Sequence, residues 1–241
     1  MHDKLIAFLN NQMFDPSYIG VFVNPFYLAR TALLKEIKQL GNNIKGKTLD
    51  VGCGTKPYQK YFASSEYVGL EIETQTNNQV KQADVYYDGK IFPFEKATFD
   101  SVLSNQVLEH VFNPTEFLTE INRVLKVGGC LLLSVPFVWD EHEQPYDYAR
   151  YSSFGLKYLL EQHGFEIIEN KKSGNDFRIF AQLLNAFIYK IVKRNKVIKR
   201  LSTFCFMSFI SVGGILLSRI LPQNNDLYLD NIILAKKITD V

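Results

Sequence analysis

The run D-V-G-C-G-T-K-P, Asp50 to Pro57, follows a short apolar segment and precedes aromatic residues at helical spacing. It reads as a strand end, a tight turn and a helix start, with the helix over Pro57 to Phe62. Gly52 and Gly54 carry no Cβ, so the turn can take positive φ and a ligand can approach the backbone closely. A second strand, Tyr67-Val68-Gly69-Leu70, ends on Glu71, about 20 residues after the first glycine, where a carboxylate can accept hydrogen bonds from ribose hydroxyls. Glycines followed by a strand-end acid point to a nucleotide-like ligand. The alternative is an ordinary turn beside a solvated acid.

Working outward, the first strand covers Thr48 to Val51 and a third covers Gln82 to Val85, with Asp84 at its end. Phe99 to Ser104 reads as a fourth strand, with Asn105-Gln106 at its carboxyl end, where ligands bind in open α/β sheets. Asn113-Pro-Thr-Glu116 starts a helix in the manner of a capping box, and Gly128-Gly129 stops it. Cys130 to Val135 is a continuous apolar run, as expected of a central parallel strand. Ser152 or Ser153 caps a helix that ends at Gly164, before a sixth strand over Phe165 to Ile168 and a seventh over Ile232 to Ala235. Before the first strand, residues 3 to 14 form an amphipathic helix, and Asn24-Pro25 starts another that stops at Gly41. This region either packs on the sheet or forms a lid. Alternating strands and helices predict an α/β fold, a seven-stranded, mostly parallel sheet with helices on both faces. The division expected is 1–46 as N-terminal helices, 47–170 with 229–241 as the sheet domain, and 171–228 as a helical insertion between strands six and seven.

At 241 residues the chain can bury a sizeable core. Its net charge of +2 is unevenly spread: residues 171–200 hold nine Lys or Arg and one acid, Asp176, so this segment is +8 and the remainder −6. Cys53, Cys130 and Cys205 are widely spaced, which suits a reducing cytosol and gives no zinc pattern, so no metal is expected. The apolar run near Met1 is too short for a secretory signal. Nucleic acid is not an expected partner, because few aromatics lie among the basic residues.

With these segments in order, the chain resembles the class I S-adenosylmethionine-dependent methyltransferases, of the type 11 kind, over roughly Asn24 to Ile168 plus Ile232 to Ala235. The Rossmann-like fold follows from that resemblance. D-V-G-C-G at 50–54 matches the family's glycine-rich motif, A-D-V at 83–85 its adenine segment, and F-P-F at 92–94, V-L-E-H at 107–110 and L-K-V-G-G at 125–129 complete the pattern. The resemblance implies S-adenosyl-L-methionine as cofactor. Asp50, Gly52, Cys53 and Gly54 would form its loop, Glu71 would hold the ribose, Asp84 and Val85 would meet the adenine, and Gln106 would line the methionine end. Lys56 and Val127 depart from the family's usual glycine and proline. A nicotinamide-dependent dehydrogenase would need a third glycine where Pro57 stands.

The segment Pro136 to Tyr151, P-F-V-W-D-E-H-E-Q-P-Y-D-Y-A-R-Y, leaves the fifth strand on the cofactor side and combines a histidine, four acids and an arginine. It is the expected acceptor loop, with His142 as general base and His110 as its rival. Trp139, Tyr146, Asp147 and Arg150 are the expected substrate contacts, Asp147 and Arg150 alternatively pairing with each other. A surface role for His142, oriented by Glu141 or Glu143, is the competing reading. The H-x-x-P-x-D-Y-x-R-Y arrangement is similar to methyltransferases of bacterial surface-polysaccharide synthesis. It implies O-methylation of a glycan or lipid-linked intermediate, in the cytoplasm at the inner face of the membrane. A small lipophilic acceptor such as a quinone precursor, or a non-catalytic membrane-associated scaffold, are the alternatives. Within the insertion, Phe180, Leu184, Phe187 and Ile191 give an apolar helix face, and Thr203 to Ser218 runs sixteen residues without charge. A helical hairpin is expected there, lying on a membrane through 177–221, forming a homodimer contact, or capping the sheet.

Overall fold

In a computed structural model of the chain, which describes residues 2–73 and 82–241, seven strands form one sheet. They are β1 (Lys45–Val51), β2 (Ala63–Ile72), β3 (Val85–Tyr87), β4 (Phe99–Asn105), β5 (Leu125–Pro136), β6 (Phe165–Ser173) and β7 (Asp230–Lys237), in the order β3-β2-β1-β4-β5-β7-β6. The sheet is mostly parallel, with helices on both faces. β1 pairs with β2 on one side and β4 on the other. That reversal opens a crevice at the carboxyl ends of β1 and β4, the usual ligand position in such sheets.

The helices are α1 (His2–Phe14), α2 (Gly20–Val23), α3 (Tyr27–Leu40), α4 (Pro114–Val124), α5 (Ser153–Gln162), α6 (Arg178–Val192), α7 (Lys196–Ser202) and α8 (Ser208–Ser218). Their starts follow local chemistry. The Asn113 side chain accepts the Glu116 N–H with Pro114 in the first turn, and Ser152 accepts the Gly155 N–H at 3.2 Å.

Several local expectations need correction. The helix expected over Pro57 to Phe62 is only a 3₁₀ turn, Gln59–Tyr61. The third strand begins at Val85 instead of ending there, so Asp84 precedes it. Helix α4 ends at Val124, not at the glycine pair, because Leu125 already pairs with Phe99 and starts a 12-residue strand. Helix α3 begins at Tyr27; the Asn24 side chain instead accepts the Phe26 N–H at 2.8 Å in a turn.

The chain divides into two compact units, one of residues 1–36, 138–140 and 172–230 and one of residues 37–137, 141–171 and 231–241. In the sheet unit, Leu49, Leu70, Val102, Leu131 and Leu133 are wholly buried. Lys237 is also fully buried there, its Nζ donating to the carbonyls of Asn122 (2.7 Å) and Leu125 (2.8 Å) where α4 gives way to β5. Lys237→Met keeps the stem but removes both charge-assisted hydrogen bonds, leaving Asn122 only the Leu125 N–H, so a loss of about 3 kcal/mol in unfolding free energy is expected. An unchanged denaturation midpoint would show the ammonium to be dispensable.

In the other unit, α6 and α8 form a hairpin. Asn185 donates to the Ser211 hydroxyl (2.9 Å) and the Met207 carbonyl (3.2 Å), and Gly214 lets α8 close onto Ala181. Gln182 accepts the Ala29 N–H (3.1 Å) and donates to the Pro25 carbonyl (3.2 Å). Polar Gln182 and Asn185 are thus buried, whereas Phe187 and Ile191 are 64% and 66% exposed. A π turn, Thr203–Met207, joins α7 to α8, and the run Lys196–Ser218 is long and apolar enough to cross a membrane by length and composition, with a third of its apolar window buried against the unit.

Candidate active site

β1 delivers Asp50 and the glycine turn to the carboxyl edge of the sheet. The N–H groups of Gly52 and Cys53 both donate to the Leu70 carbonyl, at 2.9 and 3.2 Å, fixing the turn to β2. Gly52 has φ +72°, and a Cβ there would run into Val107. Gly54 donates its N–H to Glu71 Oε2 at 3.0 Å, and open space lies where its Cβ would be. A buried carboxylate therefore faces an open stretch of glycine backbone.

Asp50 is buried and accepts the Tyr67 hydroxyl at 2.7 Å. Burial pushes its carboxyl up to about 7, helped by the charge on Glu71 and opposed by Tyr67 and Lys56. Burial and the same acids push the Cys53 thiol up to about 12. Because the folded value of Asp50 lies above the unfolded one, its stabilising contribution is complete below about pH 4 and is lost as pH rises through about 7. We expect unfolding free energy to fall across that window by on the order of 4 kcal/mol from this group, and Asp50→Asn to flatten the fall. Equal pH slopes for both proteins in denaturant titrations would rule this out.

Asp84 Oδ2 accepts the Gly69 N–H (2.6 Å) and the Lys56 ammonium (2.5 Å), and although partial burial opposes it, these two bonds lower its carboxyl below the usual range. Lys56 therefore ties the turn to the Asp84 segment, a role its sequence position did not suggest. Gln106 takes φ +56°, donating its N–H to the Ser134 carbonyl at 3.0 Å, while Ser134 Oγ donates to Asn105 Oδ1 at 2.6 Å. The ends of β4 and β5 are joined there.

Two residues beyond Gln106, a 3₁₀ turn, Leu108–His110, brings a second group together. His110 Nδ1 lies 2.8 Å from the Tyr146 carbonyl, and its ring meets His142 edge-to-face with centroids 4.7 Å apart. Asp147 orients His142: its Oδ2 accepts the His142 backbone N–H (2.9 Å) and lies 3.2 Å from Nδ1. Arg150 grips both Asp147 oxygens, at 2.6 and 2.7 Å. Burial alone would raise the Asp147 carboxyl, but the Arg150 and His142 hydrogen bonds outweigh it and hold it at about 2. The cluster is completed by Glu109, fully buried, with Oε1 3.9 Å from His110 Nε2.

Glu109, His110, His142, Asp147 and Arg150 thus meet in the sheet unit. Tyr146 contributes its carbonyl, while its side chain is largely exposed. Trp139 falls in the other unit, against Phe26 with ring centroids 5.9 Å apart. Glu109 was quoted in the sequence only as part of V-L-E-H. Its burial follows from the 3₁₀ turn, which no periodicity announces.

Residues 49–133 match the family model described as a methyltransferase domain. An O-methyltransferase, rstn1, of Aspergillus nomiae is 28% identical over 199 residues, 70% of this chain and 88% of that protein. A second O-methyltransferase, resE, of Aspergillus sclerotiorum is 24% identical over 200 residues, 70% of this chain and 75% of that one. A phosphoethanolamine N-methyltransferase 2 of Haemonchus contortus, solved with S-adenosylhomocysteine, shares the fold at a TM-score of 0.56 and 20% identity; the alignment covers 92% of this chain but 56% of that one. With the matching domain laid over β1 to β5 and a glycine turn facing a strand-end acid, the chain carries a class I S-adenosylmethionine-dependent methyltransferase domain.

Proposed function

We propose that the enzyme methylates a hydroxyl oxygen on a glycan or lipid-linked intermediate at a membrane surface. His142, braced by Asp147 and set edge-to-face against His110, carries this reading, because a hydroxyl acceptor must lose a proton. The cofactor residues fit the group they would hold. Open space beside Gly54 is bordered by Glu71, which would take ribose hydroxyls, and Asp84 retains Oδ1 for the adenine amino group while Oδ2 is committed to Lys56 and Gly69. Asp50, Gly52, Cys53, Val85 and Gln106 would complete that side. The bound cofactor supplies a methyl carbon made electrophilic by its sulfonium. This chain's residues align it, exclude water and deal with the acceptor's proton, the last at His142 and its neighbours.

The acceptor class is supported by the α6–α8 hairpin. Gln182, Asn185, Ser208 and Ser211 face inward, while Leu184, Phe187, Ile191, Phe209 and Leu216 face outward, beside Lys193, Arg194, Lys196, Lys199 and Arg200. An apolar face edged with cations suits an anionic lipid surface. Its inward face is already used by Asn185, Ser211 and Gly214, which favours lying on the membrane over crossing it.

Incubation with methyl-labelled cofactor and fractionated cell envelope tests the acceptor. Label is expected as base-stable methyl ether in the lipid-extractable or glycan fraction. Label on nitrogen or carbon would exclude a hydroxyl acceptor, and label only in small lipophilic molecules would favour a quinone-like acceptor. In flotation with anionic liposomes the protein is expected to rise. A protein that stays down as a dimer assigns the apolar face to a second copy.

A further inference from the structure

We propose that Glu109, His110 and His142 form a binding site for one divalent transition-metal ion of the zinc type. One donor atom from each lies within 4.8 Å of the others. The carbonyl of Tyr146 can only accept, so His110 carries its proton on Nδ1 and its lone pair on Nε2, the nitrogen nearest Glu109. Asp147, itself held by Arg150, does the same for His142. Fixing each imidazole through its other nitrogen is how metal-binding histidines are oriented. The backbone adds a clamp: Tyr148 and Ala149 donate their N–H groups to the Glu109 carbonyl at 2.8 and 3.3 Å, holding the acceptor loop against the turn that carries the other two donors.

Two imidazoles and one carboxylate suit zinc, iron(II) or cobalt(II) better than magnesium or calcium, which prefer oxygen. Three protein donors leave a coordination position open. The cysteine pattern could not reveal such a site, because it contains no cysteine. Its role rests on the hydroxyl-acceptor reading. A bound ion would acidify the acceptor O–H, so that its proton could pass to solvent with His142 serving as ligand instead of base; the oxygen bonds to the methyl carbon as the carbon–sulfur bond breaks, its electron pair going to sulfur. No redox change is involved.

The test is titration of chelator-treated full-length protein with cobalt(II), followed by visible absorption, with S-adenosylhomocysteine binding measured on the same samples. Wild type is expected to take up one equivalent with a ligand-field band. His110→Ala and His142→Ala should lose at least 10-fold in affinity, and Asp147→Asn about 10- to 100-fold, with S-adenosylhomocysteine binding retained. Glu109 is buried and its replacement can unfold the chain, so the partly exposed histidines carry the test. A wild type that binds S-adenosylhomocysteine but takes up no stoichiometric cobalt overturns the site, as does unchanged uptake in both histidine variants. Full methyl transfer by metal-free protein overturns its catalytic role and leaves the hydroxyl reading standing. Stoichiometric uptake without transfer to any hydroxyl supports the site and removes that reading instead.

Discussion

Replacing His142 by alanine is expected to lower methyl transfer by about 10²- to 10⁴-fold, with S-adenosylhomocysteine affinity unchanged within about twofold. The size follows from what the proposed roles would lose: without an ion the imidazole takes the proton that must leave before or as the oxygen attacks, and with one bound it holds the ion that acidifies that proton. The constancy of binding follows from position, since the glycine turn is fastened to Leu70 and Glu71 and not to the acceptor loop. Asp147→Asn probes the same chemistry one step back. An amide cannot supply the charge that orients His142, and Arg150 loses its ionic partner, so turnover should fall while the histidine stays in place. Full turnover in His142→Ala, with unaltered cofactor affinity, would transfer the role to His110 or remove it from the cluster.

Glu71→Ala should act on the opposite side of the reaction. A buried carboxylate taking two ribose hydroxyls makes charge-assisted hydrogen bonds of about 1.5 to 3 kcal/mol each. Their loss predicts about a 10²- to 10⁴-fold weaker Kd for S-adenosylhomocysteine by calorimetry. Glu71 also accepts the Gly54 N–H, so the alanine variant mixes lost contact with a loosened turn. Glu71→Gln separates the two: its amide oxygen can still accept from Gly54, and whatever affinity it loses belongs to the carboxylate's charge. Binding of both variants as tightly as wild type would place the ribose elsewhere.

The glycine turn was legible because its requirements are local: two positions without Cβ and an acid one strand later. Strand positions followed from apolar runs for the same reason. The end of α4 was not, since Leu125 is a good helix residue that joins the sheet only through its pairing with Phe99, 26 positions earlier. Periodicity showed that α6 has an apolar face but not which way it turns. Burial of Gln182 and Asn185 depends on hydrogen-bond partners at Pro25, Ala29, Met207 and Ser211, which no window of sequence contains. Likewise, among the four acids near His142, the contact of Asp147 with it is set by the folded loop.

The π turn between α7 and α8 sets a phase. An α-helix rotates by roughly 100° per residue, and a π turn absorbs about one extra residue, so everything after Met207 is turned by slightly more than a quarter circle relative to an uninterrupted helix. Val197 and Leu201 before it and Phe204 within it then share a stripe with Phe209, Val212 and Leu216 after it, all of them exposed. Deleting a single residue between Thr203 and Met207 would leave composition and hydropathy almost unaltered yet split that stripe into two half-length strips facing different directions. The length of the apolar surface is thus encoded in a count of residues, and insertions or deletions there carry more weight than substitutions.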